Sequence, residues 1–271
     1  MALIISSNII TMNKIQLLFK ARKIFVNWQT LIGIYFKIIK KENAILETRN
    51  NIKIKIRTDS TDIMQLGTVW LAGDYEVSGF NIDKDDVVID IGAHIGLFSL
   101  FISQYCKNGK IFSYEPIKEN FNILKENVEL NKIKNIFSFN FAVSDKSNKS
   151  KIFINSDDSA HSIFNSGKDF IEVNSITIKS IFDQNKIKNC NLLKLDCEGA
   201  EYSIIESIPK EYFLKIDKMM IEYHLATENP ELYKKLIQKL NDNLFKIKII
   251  KISDNMGMIY AINMNKTKLI I

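Results

Sequence analysis

The sequence predicts an α/β fold: an open, doubly wound sheet, mostly parallel, that closes on an antiparallel hairpin. Three observations carry this. Val87-Val88-Ile89-Asp90-Ile91 is a short β-branched run of the kind that forms a strand buried on both faces. From there, strand-like and helix-like segments alternate, which implies parallel crossovers. At the end, the strand-like runs 245–252 and 258–262 are separated only by residues 253–257. That loop is too short for a crossover helix, so the two runs must pair antiparallel.

Taken in order, residues 13–41 read as helix. Runs 44–47 and 52–56 flank Arg49-Asn50-Asn51 and read as a hairpin, because the Asn pair favours a turn. Residues 61–71 read as a short helix. Strands are then expected at 87–91, 110–114, 136–143, 192–195 and 218–221. Helices are expected at 97–104, 117–130, 201–207 and 231–240, and the segment between 143 and 192 reads as irregular. The expected division is an N-terminal helical and hairpin extension, 1–60, followed by a catalytic domain, 61–271.

Charge separates the same two parts. Residues 1–41 contain Lys14, Lys20, Arg22, Lys23, Lys37, Lys40 and Lys41 and no acid, a charge of +7. Of 37 basic and 31 acidic residues overall, 30 and 31 remain, so the rest carries −1. A nucleic-acid protein wants a basic stripe on its main domain, so nucleic acid is not an expected partner. The apolar stretch 24–39 is interrupted by Asn27, Gln29, Thr30 and Lys37 and is too short to span a bilayer. The first basic residue follows the run 2–10, the reverse of a signal peptide. A cytoplasmic protein is expected, with the basic N-terminal helix packed on its own domain or lying peripherally on the inner face of a membrane. Cys106, Cys190 and Cys197 are odd in number and lack CxxC spacing, which speaks against a disulfide framework or a zinc site.

Four sites carry chemistry, each at a predicted strand end, where open α/β sheets bind ligands. The first is Asp90-Ile91-Gly92-Ala93-His94-Ile95-Gly96. Gly92 and Gly96 allow a sharp turn and close backbone approach. The second is Glu115 in Tyr114-Glu115-Pro116, 19 residues after Gly96, placed to accept hydrogen bonds from a ribose diol. A nicotinamide dinucleotide is one reading, but GxGxxG is absent. Asp90 beside a pyrophosphate is unfavourable, whereas an acid near the ammonium of a methionine moiety is favourable. The third is Asp196-Cys197-Glu198-Gly199-Ala200-Glu201, whose crowded carboxylates need cationic or metal partners. The helix dipole accounts for Glu198 and Glu201 but not for Asp196. The fourth is Glu222-Tyr223-His224, where His224 is placed as a general base. His161, in the irregular stretch, is placed to shape a substrate pocket.

The stretches VVIDIGAHIGLFSL, IFSYEPIKENFNILKENVELN, FAVSD, LLKLDCEGAEYSIIES and MMIEYH together resemble the FkbM family of methyltransferases, over roughly 75–262. Gly73-Asp74-Tyr75-Glu76 fits as well. The resemblance implies a class I methyltransferase fold with seven strands, the last antiparallel. It implies S-adenosyl-L-methionine as methyl donor and O-methylation of a hydroxyl on a sugar, glycan or small natural product. By matched position, Asp90, Gly92, Ala93 and Gly96 would border the methionine part, Glu115 the ribose, and Ala142 and Val143 the adenine. Asp196 would border the reacting groups. His94 departs from the family's usual Asn.

Methyl transfer from a sulfonium is an in-line displacement, so the protein mainly aligns the acceptor and removes its proton. Asp196 or His224 is expected to take that proton, with Glu198 and Glu222 orienting them. No metal is expected, because two of the clustered acids have ordinary helix-start roles. The competing readings are a NAD-dependent oxidoreductase and a non-catalytic binding module with a degenerate cofactor site. Intact Asp90, Gly92, Gly96 and Glu115 speak against the second.

Overall fold

The computed structural model describes residues 14–72, 79–153 and 170–266. His161 and Gly73-Asp74-Tyr75-Glu76 lie outside the described residues.

The sequence opens with two helices, α1 (Lys14–Ile24) and α2 (Trp28–Tyr35), where one was expected. The break falls at Phe25, which leaves the helix to bridge Thr48. The hairpin follows as β1 (Asn43–Glu47) and β2 (Lys53–Arg57), antiparallel, with Asn51 at φ 63° in its turn. Helix α3 (Asp62–Leu66) continues into a π-helical turn over Gly67–Ala72.

The main sheet has seven strands. In chain order they are β3 (Val87–Ile91), β4 (Lys110–Tyr114), β5 (Ile136–Phe139), β9 (Cys190–Asp196), β10 (Ile216–Tyr223), β11 (Phe245–Lys251) and β12 (Gly257–Asn263). Their spatial order is β11-β12-β10-β9-β3-β4-β5. Strands β5, β4, β3, β9 and β10 run parallel, and β12 runs antiparallel to both its neighbours. Chain order reverses between β3 and β9, which opens a crevice at their carboxyl ends. Helices α4 (Leu97–Ser103), α5 (Lys118–Leu130), α7 (Glu201–Ser207), α8 (Lys210–Phe213) and α9 (Pro230–Asp242) accompany the strands.

The stretch expected to be irregular is partly ordered. Ala142–Val143 (β6) leaves the main sheet and joins β7 (Asn148–Phe153) and β8 (Phe170–Ile176) in a three-stranded sheet. Helix α6 (Ile178–Gln184) follows, capped by the Thr177 hydroxyl, which accepts from Ser180 N–H. The predicted single strand 136–143 is therefore two, in different sheets.

Alternate residues of the central strands face two cores, one on each side of the sheet. Ile89, Ile91, Leu193 and Leu195 meet α7 and α9 through Ile204, Ile205, Leu236 and Leu240. Val88, Leu192 and Met220 share the opposite core with Phe25, Leu31, Ile34, Leu46, Ile54 and Ile56. The N-terminal extension thus has no separate core at residue 60. Asn127 also ties β2 to α5, accepting from Lys55 N–H at 2.6 Å and donating to the carbonyls of Lys55 and Ile95. Among the described residues, no helix is long and apolar enough to cross a membrane.

Candidate cofactor and acceptor site

The strand order lays out a cleft across the carboxyl ends of four adjacent strands. Phe141, Ala142 and Val143 follow β5, Glu115 follows β4, Gly92 to His94 follow β3, and Lys194 to Glu198 end β9. Ile152 from β7 adds to the apolar end, and Gln65 and Val69 close the other side. The space in the cleft, counted together with the open solvent at its mouth, is about 1140 Å³.

Gly92 marks where two loops nearly touch. Its φ is 74°, and a Cβ there would stand 1.8 Å from the Asp196 carbonyl oxygen. Any side chain would push the β3 and β9 ends apart. His94 adopts φ 51°, the left-handed region that Asn and His tolerate better than most residues.

Glu115 is almost wholly buried, yet it lines the cleft. Its Oε2 accepts the His94 N–H at 2.8 Å and its Oε1 accepts the Ile117 N–H at 2.9 Å. Burial raises its carboxyl to about 7 against these hydrogen bonds. Two carboxylate oxygens retain further acceptor capacity towards the cleft.

Asp90 and Gly96 differ from expectation. Asp90 is fully buried beneath the cleft and does not line it. Its Oδ2 accepts the Ser99 hydroxyl at 2.6 Å and its Oδ1 lies 3.3 Å from Lys194 Nζ. It acts on the cleft through Lys194, which also donates to the Gly92 carbonyl at 3.2 Å and lies 3.5 Å from Asp196 Oδ2. Gly96 caps α4 at φ 87°, and a Cβ there would stand 3.1 Å from Leu124. Ala93 lines the cleft.

The crowded carboxylates find their cations within the chain. Asp90 and Asp196 share Lys194. His224, one strand further on, lies 3.7 Å from Glu198 Oε2, 3.7 Å from Glu222 Oε1 and 3.4 Å from Glu201 Oε1. Burial pulls the imidazole down, but the fields of Glu198, Glu201 and Glu222 outweigh it and hold it well above the usual histidine range. His224 is set behind the cleft rather than lining it, whereas the sequence placed it as a group that takes the acceptor's proton. Glu222 also stands behind the cleft, its carboxyl raised to about 8 by burial and by Asp196. Asp196 and Glu198 do line the cleft. Glu198 holds φ 49°, with Gly199 at φ 106° beside it, a strained turn of the kind that collects at functional sites. Burial raises its carboxyl to about 7. Cys197 is pushed far up by burial and by Glu201, so it stays a thiol and not a nucleophile. Donor atoms of Asp196, Glu198 and His224 lie within 4.8 Å of one another, a separation a divalent cation could also bridge.

Sequence reasoning missed Lys194, although a lysine inside the apolar run Leu192–Leu195 was a signal: a buried cation needs partners. It also missed Arg57. That guanidinium binds the buried Asp62 at 2.7 Å and 3.0 Å, donates to Asn120 Oδ1 at 2.9 Å and meets His94 Nε2 at 3.4 Å. Burial, with Arg57 opposing the field of Asp62, lowers His94 to about 4, so its ring is neutral.

The ligand implied by the sequence resemblance fits this layout. An adenosine with a zwitterionic amino-acid tail presents an apolar base, a diol and a charged end. The cleft offers an apolar shelf, the Glu115 acceptor and the Lys194–Asp196 pair in that strand order.

Comparison with known proteins agrees. Residues 90–247 match the methyltransferase FkbM domain. Methyltransferase 1 of Beauveria bassiana is 25% identical over 175 residues, covering 55% of this chain and 68% of that protein. A protein of Oceanobacillus iheyensis named as an uncharacterized RNA methyltransferase is 31% identical over 106 residues, covering 39% of this chain and 23% of its own. Among solved structures, methyltransferase FkbM from Methylobacillus flagellatus aligns over 92% of this chain and 58% of its own, at 15% identity and a TM-score of 0.48.

Proposed function

Because this chain belongs to the methyltransferase FkbM domain family, whose methyl donor is S-adenosyl-L-methionine, we propose that it methylates a hydroxyl oxygen of a sugar, a glycan or a small natural product. The observation that carries this reading is the pair Asp196 and Glu198 at the cleft, with the Glu198 carboxyl near 7. A hydroxyl, unlike an amine, must shed a proton as its oxygen is alkylated. A base is most useful when its pKa lies near the working pH.

When bound, the donor supplies a methyl group already activated on a sulfonium. Glu115 would hold the ribose diol, and Ala142 and Val143 would pack against the base. Lys194 holds Asp196 in place, and Asp196 would orient the acceptor hydroxyl. Glu198 accepts the hydroxyl proton at a carboxylate oxygen, while the His224 imidazolium stabilises the cluster from behind. No step is assigned to a metal, since Lys194 and His224 already supply the positive charge that the carboxylates require.

The charge distribution supports a small acceptor over a nucleic acid, because all the excess positive charge sits in residues 1–41. The test is incubation with methyl-labelled donor and a panel of sugars, glycans, hydroxylated natural products and RNA. The expected product is an alkali-stable methyl ether on a non-nucleotide acceptor. Label recovered in RNA, in an alkali-labile ester or on an amine would overturn the reading.

A further inference from the structure

Helix α1 buries a stripe at helical spacing: Leu17, Ala21 and Ile24 point inward and lead to the buried Phe25. The opposite side should then be polar, as on an ordinary surface helix. Instead it exposes Leu18 and Phe19 beside Arg22 and Lys23, and Phe19 is 68% exposed. The end of α2 repeats the pattern. Tyr35, Phe36 and Ile38 are exposed around Lys37, with Ile38 at 74%, and exposed Lys40 and Lys41 follow. The Tyr35 and Phe36 rings meet edge to face at 5.2 Å, yet both stay exposed.

Single exposed apolar residues are normal on any protein. Here the concentration is not. Of the 15 large hydrophobic side chains exposed among the described residues, Leu18, Phe19, Val26, Tyr35, Phe36 and Ile38 fall within one 21-residue segment. The same segment holds no acid and lies within residues 1–41, which carry seven basic residues and no acid. Apolar and aromatic side chains interleaved with lysine and arginine match the interface of an anionic bilayer. There the rings enter the headgroup boundary and the cations meet lipid phosphates. A protein partner would have to supply acids around an apolar hollow. A second copy of this chain would bring Arg22, Lys23, Lys40 and Lys41 against their own equivalents.

We propose that the α1–α2 face docks this protein peripherally on an anionic lipid surface. Both helices pack into the core that carries α4 and the π-helical turn, and Val69 of that turn lines the cleft.

The experiment is flotation of the full-length protein with vesicles of phosphatidylcholine alone and with about one third phosphatidylglycerol. The expected result is capture only by the anionic vesicles, lost at high salt because the attraction is screened. The triple change Phe19→Ser, Phe36→Ser and Ile38→Ser, on exposed positions, should reduce capture at least tenfold. Lys40→Gln with Lys41→Gln should reduce it on the order of tenfold. Both variants should keep the wild-type melting shift with S-adenosylhomocysteine, which reports the cofactor site separately. No capture by anionic vesicles, equal capture by neutral vesicles, or capture unchanged in both variants would overturn the proposal. So would a wild-type dimer that the triple change dissociates, since that would make the face a self-interface. Loss of the melting shift in the wild type would instead overturn the cofactor assignment and leave the docking result standing.

Discussion

Replacing Glu115 by Ala separates the ligand role of this residue from its structural one. The carboxylate holds the glycine turn by accepting the His94 and Ile117 N–H groups. Alanine leaves both donors without their partner, at about 1–3 kcal/mol each where water does not reach them. For a chain of this size, each kcal/mol lowers the melting temperature by about 2–4 °C, so a fall of about 4–24 °C is expected. The ligand effect adds to this. Two hydrogen bonds from a ribose diol to a charged acceptor contribute roughly 1.5–3 kcal/mol each. With partial compensation by water, cofactor affinity should drop about a hundredfold. The residue also sets a pH dependence. Its carboxyl stands at about 7, and the diol binds the ionised form, so wild-type affinity should fall as pH drops through 7. The folded value lies above the unfolded one, so burial of Glu115 favours the ligand-free fold at low pH. That contribution is lost as pH rises through about 7. Calorimetry with S-adenosylhomocysteine at pH 6 and pH 8, beside thermal unfolding, measures all three effects. Destabilisation with unchanged affinity and unchanged pH dependence would refute the ribose assignment and leave Glu115 as a loop clamp.

Glu198→Gln should lower turnover by about 10²–10⁴-fold with cofactor affinity retained, the range of a lost general base. Wild-type turnover should rise with pH through about 7 as Glu198 ionises, and a profile flat across that range would exclude it as the base. Asp196→Asn should likewise reduce single-turnover methyl transfer more than affinity, because it removes the charge that Lys194 and the acceptor share. His224→Ala leaves Glu198, Glu201 and Glu222 without their buried cation and should cost about 3–5 kcal/mol in denaturant unfolding, the usual penalty for breaking a buried pair. Chelation with EDTA should leave turnover unchanged; a loss restored by magnesium would place a cation among Asp196, Glu198 and His224.

The main sheet was legible because its central strands are largely apolar on both faces and its closing loop is short. The α1–α2 break was not, because no glycine or proline marks it and the bridge from Phe25 to Thr48 is a contact distant in sequence. The three-stranded sheet escaped notice since Asn148–Phe153 is largely polar. The alternation of Phe170–Ile176 and the Thr177 cap were signals that could have found part of it. At the site, strand-end carboxylates stand out from spacing alone, so Glu115, Asp196 and Glu198 were identifiable. Their depth was not. Whether Asp90 faces ligand or Lys194, and whether His224 is a base or an imidazolium, depends on which strands are neighbours. Arg57 reaches the glycine turn from 37 residues before His94, a contact no local pattern encodes.

Titration of S-adenosylhomocysteine into the full-length protein by calorimetry, with NADH as the parallel ligand, tests the central claim most directly. A saturable one-to-one isotherm with S-adenosylhomocysteine, weakened about a hundredfold in Glu115→Ala, and no heat with NADH is the predicted result. Binding of NADH without binding of S-adenosylhomocysteine would contradict the account.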